Sequence, residues 1–566
     1  MLTKFSGKNY KAFKDFSFEI KPITVLLGAN SCGKSALINS LLMFSQTAET
    51  INISESALRL NGNKVGMGES LNIIREKNPK NTLSFSFEIS NQHSLRYDIH
   101  KSKRDFIDFY FSLARYLGQV LKSAASTTPS SDLMNNSFND TLKTIDKIES
   151  NYMFRDTYNS AQLKAISDGV CELLSKYRQL PEDVAKKSRP HLDRLAEFVN
   201  IVSFENIQSS LMSLASLSAK KISPKRIDYD FCFDKKSNQL KITGCAFHNH
   251  LGECITSLGV SKGKFFLRSD VIKRTHLSKS REEISKLINF NSLSLIDEIQ
   301  NVNFIDKHIV SLDPFASLFC NYLEKLTKAF ISEFNGVKIN HVSPLRAFPQ
   351  RYYLLDKSIQ HTFLNVLEGN ELAEVLKKNP EIKNKINILL AKFNLEVDVV
   401  MVNDIIHKIN ITQDSISLEL TDVGFGISQV LPILVQAYLS PKNSITIIEQ
   451  PEIHLHPKMQ AWLTDALIHI ALKEKKRFII ETHSDALIRR IRLRIVDTKS
   501  SLTPNDVMLC NLERKSEDNV TSLKVIPITE DGDITWPADF LDIEIQDTLQ
   551  IQNFKVKKHL KSKGLL

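Results

Sequence analysis

The chain reads as a mixed α/β unit whose two halves are separated by a mainly helical insertion. Two observations predict this. Short apolar or alternating runs with strand character occupy the first hundred residues and return from Val337 onward, alternating there with helical patterns. Between them, from about Lys103, apolar residues fall at helical spacing, and from Gln119 to Thr243 the only glycine is Gly169. Composition agrees: 42% of the 566 residues are hydrophobic and 24% charged, enough for a large core, and 18 Gly with 17 Pro argue against collagen-like or linker-rich chains.

Each element follows from its pattern. Phe16, Phe18 and Ile20 alternate with polar residues, as on a half-buried strand, whereas Ile23 to Leu27 is continuously apolar, as on a strand covered on both faces. Helical character follows from Ala36 to Met43, and Leu83, Phe85, Phe87 and Ile89 mark another alternating strand. Phe106, Phe109, Leu113, Leu117, Val120 and Leu121 share one helical face, and further helical patterns cover Leu163 to Leu180 and His191 to Val202. Strands return at Tyr229 to Phe233 and Leu240 to Phe247, before a second helical stretch at about 278–334.

No run reaches the roughly 18 apolar residues that cross a bilayer, and the N-terminus carries no apolar leader stretch. Seven cysteines without a C-x-x-C pair give neither a disulfide framework nor a zinc ribbon. A cytoplasmic protein without membrane association is expected. The net charge of +10 suits an anionic partner. Five of those charges (Lys555, Lys557, Lys558, Lys561 and Lys563) sit in the tail, where a solvated end and a phosphate-tracking role both fit.

Gly28-Ala29-Asn30-Ser31-Cys32-Gly33-Lys34-Ser35 fits G-x-x-x-x-G-K-[ST], between a buried strand and a helix. Two glycines let backbone N–H groups curl around phosphate, the helix start adds partial positive charge, Lys34 reaches the outer phosphates, and Ser35 can ligate Mg²⁺. Asn30, Ser31, Cys32, Gly33, Lys34, Ser35 and Ala36 are therefore candidate nucleotide contacts, with Cys32 as a small filler. Ile445 to Glu449 is an apolar strand ending in a carboxylate, the arrangement that sets an acid beside Mg²⁺. Phe478 to Glu481 is another, followed by Thr482-His483-Ser484, where His483 is placed to meet a terminal phosphate or is an ordinary strand-end residue. Asp422 to Gln429 is a glycine-containing loop entering a helix.

Together these segments resemble an ABC-type ATPase head of the SMC-like branch, near the overcoming-lysogenization-defect and Septu-type (PtuA-type) defence ATPases. The matching pieces are the Asn9 to Lys14 lead-in with Lys11, the phosphate loop, Gln46 as the Q-loop residue, and Gly424 to Gln429 as the signature loop. Glu449 matches the Walker B acid, His454-Leu455-His456-Pro457 the D-loop, and His483 the switch histidine. Pro344 to Tyr352 and Asp533 to Pro537 resemble further blocks of the same group.

The resemblance implies an α/β, ABC-type P-loop ATPase head interrupted by a mainly helical insertion. Residues 1–100 and 336–545 form the head, 224–275 are antiparallel strands completing it, 101–223 and 276–335 are helical insertions, and 546–566 are a basic tail. It implies ATP and Mg²⁺ as cofactors, with Ser35, Gln46 and Glu449 at the metal and Gly426 and Ser428 capping the nucleotide of a second chain. A head-to-tail homodimer follows, with higher assembly left open. By the same analogy the partner is a separate HNH-type nuclease, and in retron relatives a reverse transcriptase with its RNA–DNA product joins. The other reading is a DNA-repair or chromosome-maintenance clamp of the SMC type, although the insertion lacks sustained heptads.

Gln450 stands where the family's catalytic glutamate follows the Walker B acid. An amide orients water but takes no proton, so slow hydrolysis is expected, with Glu452 or Glu481 as alternative bases. His248-Asn249-His250 spells a nuclease name by coincidence, and Cys245, His248, His250 and Cys254 lack standard zinc spacing. No intrinsic nuclease is read. Arg489, Arg490, Arg492 and Arg494, with Lys186, Lys187, Arg189, Lys220, Lys221, Lys225 and Arg226, are either paired or solvated faces, or contacts to nucleic-acid phosphates.

Overall fold

A computed structural model describes residues 1–50, 56–90, 160–179, 217–296, 313–354 except 347, 371–515 except 404, and 520–536. It also describes shorter helical pieces within 111–123, 140–150, 209–213 and 547–558. Phe106, Phe109, Lys186, Lys187, Arg189, the stretch His191 to Val202, Pro537, Lys557, Lys561 and Lys563 lie outside the described residues. The chain divides into two compact units, one of residues 1–49, 59–85 and 333–566, the other of 50–58 and 86–332.

The first unit is built on a parallel sheet. Five strands run side by side in the order Val507–Lys515, Ile23–Leu27, Arg477–Glu481, Ile445–Glu449 and Ile339–Val342, every adjacent pair parallel. Strands covered on both faces cannot alternate, and Ile23–Leu27 and Arg477–Glu481 are buried at every position. Beyond Val507–Lys515 the sheet continues through its antiparallel neighbour Val520–Ile526 to the N-terminal hairpin Leu2–Tyr10 and Phe13–Glu19. The hairpin alternates as its sequence does, with Phe13, Phe16 and Phe18 buried and Lys14, Ser17 and Glu19 exposed.

Helices Phe425–Leu439 and Pro457–Lys473 share one core with Val25, Leu27, Phe478 and Ile480 of the strands. Pro457 opens its helix at the first position, where its missing N–H costs nothing, and His456 caps it by accepting from Lys458 N. A smaller antiparallel sheet, with Ile406–Gln413 flanked by Tyr353–Leu354, Leu395–Met401 and Ile416–Glu419, leads the chain into the glycine-containing loop at 422–429.

The second unit holds an antiparallel meander, Pro224–Asp234, Gln239–Asn249, Cys254–Ser261 and Lys264–Arg268. Helix Pro314–Ile331 belongs to the same unit, and Tyr322 donates its hydroxyl to the Ile222 carbonyl at 2.5 Å. Asp313 caps that helix through the Ala316 N–H. Helix Ser160–Arg178 buries Ile166, Val170, Leu173 and Leu174, one stripe at helical spacing. No helix among the described residues is long and apolar enough to cross a membrane.

Candidate nucleotide site

In an open parallel sheet, ligands bind beyond the carboxyl ends of the strands. Four of those ends carry the residues that matter here. Strand Ile23–Leu27 runs into the phosphate loop, Arg477–Glu481 into His483, Ile445–Glu449 into Gln450, and Ile339–Val342 toward Arg346.

The loop from Gly28 to Gly33 is held open by backbone conformations that most residues avoid. Gly28 has φ +136° and Gly33 φ +107°, and Ser31 adopts the left-handed region at 62°. A Cβ on Gly28 would lie 2.4 Å from the Leu512 carbonyl oxygen and 2.8 Å from Cys32 Sγ. Gly28→Ala is therefore expected to lower stability by about 3 kcal/mol, read as a lower urea midpoint, and to weaken nucleotide binding. Cys32 is buried, and burial pushes its thiol above the usual range, so it fills space rather than reacts.

Helix Lys34–Glu49 begins directly after Gly33. Lys34 is buried and donates to the carbonyls of Gly28 and Ala29, both at 2.9 Å, with Glu481 Oε1 at 3.8 Å. Ser35 is exposed at the helix start, as Asn30 and Ser31 are in the loop, and Ala36 is half-buried. Lys11 sits in the turn of the N-terminal hairpin, whose Tyr10 hydroxyl donates to the Ala36 carbonyl at 2.8 Å. The lead-in thus packs on the start of the phosphate-loop helix.

Strand pairing sets Glu449 directly beside Glu481. His341, on the next strand, lies 2.6 Å from Glu449 Oε1 through its Nε2. Burial and the neighbouring Glu449 carboxylate push Glu481 up to about 7, against the pull of Lys34. Glu481 Oε2 is buried without a hydrogen-bond partner among the described residues. Paired carboxylates with an orphan oxygen, next to a lysine and an exposed serine hydroxyl, are the donor set a hard divalent cation takes. Ser35, Glu449 and Glu481 would hold Mg²⁺.

Glu452 does not face this set as a free base. Its carboxylate accepts from Thr482 Oγ1 at 2.8 Å and from His483 N at 2.7 Å, tying the loop after one strand to the end of the next. His483 itself is exposed, and partial burial with Lys34 nearby lowers its proton affinity. Gln450 adopts a left-handed backbone, φ 44°, with its N–H bonded to Glu481 O at 2.7 Å. Glu481, noted in the sequence only as a substitute base, is thus part of the acid pair.

Two expected contacts are corrected. Gln46 is buried inside the helix, donating to Arg59 O at 2.6 Å and accepting from Val65 N at 3.2 Å. Eleven residues after Ser35, it stands about 16 Å along the helix axis from the phosphate loop, so it cannot share a metal with Ser35. Ser428 is 3% exposed, one turn inside helix Phe425–Leu439 rather than at its open end. The end of that helix offers instead Gly424, around which a Cβ would meet nothing within 4 Å, and Gly426, beside Leu455 of the D-loop segment.

Sequence reasoning missed His341 and gave Arg346 no role. Arg346 lay in a segment singled out only by resemblance, and its burial was the missing signal. The arginines of the cluster have partners within the chain. Arg490 and Arg494 both bind Asp465, Arg489 pairs with Asp485 at 2.9 Å, and Arg492 donates to the Gly532 carbonyl at 2.5 Å. In the second unit, Arg226 pairs with Asp228 and Lys225 with Glu88. His248 lies 3.2 Å from Asp228, and no group of three His, Cys, Asp or Glu side chains placed to hold a metal ion occurs among the described residues.

A P-loop, an acid pair and a strand-end histidine on one parallel sheet define a P-loop ATPase of mixed α/β architecture, the fold class expected from the sequence. Residues 1–488 match the AAA ATPase domain family, and the chain belongs to it. No curated protein matches the chain significantly. Among solved structures it is similar to the SMC head domain from Thermotoga maritima, at 7% identity and a TM-score of 0.32 over 93% of this chain and 99% of that one. It is also similar to an Smc head with an extended coiled coil, bound to the C-terminal domain of ScpA, from Pyrococcus furiosus. There the identity is 10% and the TM-score 0.32, over 97% and 99% of the two chains.

Proposed function

We propose that the protein binds ATP with Mg²⁺, hydrolyses it slowly, and acts as the nucleotide-dependent core of a bacterial anti-phage defence complex. The observation that carries the ATPase part is the meeting of Lys34, Glu481 and Glu449 beside the phosphate loop. Bound Mg²⁺ supplies positive charge that offsets the phosphates. The chain's own residues do the rest: Gly28 to Gly33 cradle phosphate with main-chain N–H groups, Lys34 exchanges its two carbonyl partners for phosphate oxygens, and exposed His483 faces outward beside it.

Gln450 orients water without removing its proton, and Glu452 is engaged with Thr482 and His483. Turnover below about 1 per second is expected, at the low end of enzyme rates, and Gln450→Glu should raise it at least tenfold. Phosphate release at tens per second with no gain from Gln450→Glu would overturn this reading.

Two chains meet head to tail, the open start of helix Phe425–Leu439 on one facing the phosphate loop of the other. Main-chain N–H groups at Gly424 and Gly426, rather than the Ser428 hydroxyl, meet the nucleotide. The defence assignment rests on the likeness of the Gly424 to Gln429, His454 to Pro457 and Thr482 to Ser484 segments to Septu-type ATPases. In that setting a separate HNH-type nuclease is the partner, ATP keeps the cytoplasmic complex assembled and inhibited, and a reverse transcriptase with RNA–DNA joins in retron-linked forms. Co-purification from the native operon, with proteins and nucleotide identified by mass spectrometry, tests it. An HNH protein in the complex supports the reading, and recombination factors instead would move it to an SMC-like DNA clamp.

A further inference from the structure

Arg346 is 6% exposed, at the carboxyl end of the strand next to Glu449. Its Nη2 donates to the carbonyl of Glu449 at 3.1 Å and to that of Gln450 at 3.3 Å. Its Nε and Nη1 are buried with no hydrogen-bond partner among the described residues. Of a guanidinium's five donors, three are therefore idle. Burial draws its proton affinity down, to about 10, only partly offset by the charge of Glu452.

A buried cation kept in this state works against stability, since an apolar side chain of similar volume would remove the desolvation cost. The two bonds it does make have a specific address. They fall on the carbonyls on either side of one residue, Gln450, whose left-handed backbone (φ 44°) costs about 1–3 kcal/mol unless its surroundings hold it. The third restraint on the same residue is the bond from its N–H to Glu481 O at 2.7 Å. The residue pinned in this way stands directly after the Walker B acid, where an amide can act only by where it points.

We propose that Arg346 is a positioning residue that fixes the Gln450 backbone, and through it the aim of the side chain on the attacking water. This rests on the ATPase reading above. Arg346 acts through the two peptide carbonyls, which both accept from its Nη2, and lysine, whose side chain ends one atom short of that nitrogen, does not carry its ammonium to the same point.

The test is a double-mutant cycle of Arg346→Lys with Gln450→Glu, scored by kcat and KM for ATP and by thermal melts. In the native background Gln450→Glu should raise kcat at least tenfold; in the Arg346→Lys background the gain should fall below twofold, with KM moving less than twofold. Arg346→Met, which removes the charge and keeps volume, should melt within a few degrees of the native protein and show the same lost gain. An equal gain in all backgrounds overturns the proposal. So does a joint fall in melting temperature and nucleotide affinity with the gain intact, which would make Arg346 a structural residue. Lys34→Ala in the same series separates the two readings: loss of nucleotide binding there upholds the ATPase site, so an additive cycle counts against Arg346 alone.

Discussion

Lys34→Ala is expected to weaken ATP binding at least 100-fold while leaving the protein folded. The ammonium is buried, and both of its close partners are carbonyls of the loop it would leave to reach phosphate, at 2.9 Å each. Exchanging neutral carbonyl acceptors for phosphate oxygens turns two bonds from a cation to a dipole into bonds between opposite full charges, and a hydrogen bond to a charged group contributes about 1.5–3 kcal/mol. A loss of about 2.7 kcal/mol is a factor of 100 in affinity. Truncation also leaves Glu481 and Glu449 side by side with no lysine to temper them, so the anionic ligand meets uncompensated negative charge. Calorimetric titration with a non-hydrolysable ATP analogue measures the effect. Lys11→Ala, in the half-exposed hairpin turn, should cost only a few-fold. Affinity within threefold of native in Lys34→Ala would sink the site assignment.

Glu481→Gln should flatten the stability of the nucleotide-free protein between pH 4.5 and about 7. The folded carboxyl holds its proton up to about 7, against an ordinary value of 4.5, because burial and the Glu449 carboxylate disfavour its charge. Below 4.5 the group is neutral in both folded and unfolded chains and costs nothing. As pH rises through the window the unfolded chain ionises freely while the folded one resists, so the folded state loses ground until about pH 7 and stays lower above it. At 1.36 kcal/mol per unit the full loss is about 3 kcal/mol. Urea melts at intervals across this range, without nucleotide and magnesium, should show native stability declining with pH and the amide variant declining less by about that amount. Superimposable profiles would mean that Glu481 does not hold its proton above the ordinary carboxylate range.

Much of the fold was legible because its central strands are buried on both faces. Continuous runs such as Ile23 to Leu27 and Phe478 to Glu481 have no other economical explanation once loops with phosphate or switch character follow them. The alternation of Phe16 and Phe18 with polar neighbours likewise reports a one-sided hairpin. What stayed hidden depends on register and depth. His341 meets Glu449 across 108 residues through the pairing of two strands, and nothing in the local sequence of either announces it. Gln46 shows the converse. Eleven residues is close to three full helical turns, so it lies on nearly the same face as Ser35, but periodicity carries no measure of the distance along the axis. Ser428 sits in a segment that matches a signature loop, yet this residue, four positions after the helix cap, is buried, and only packing shows that. The arginine run was ambiguous because its partner, Asp465, comes from a different helix.

The grip of Glu452 on Thr482 and His483 has a thermodynamic meaning. A carboxylate shared by two strand-end loops makes their conformations linked variables, so a ligand that favours one arrangement of the 450–457 loop must change the affinity at the His483 end by some factor. Ligands at the His483 end must then act back on the 450–457 loop by the same factor. Two hydrogen bonds thus let occupancy of the nucleotide pocket and engagement of whatever docks on that loop be read from either side.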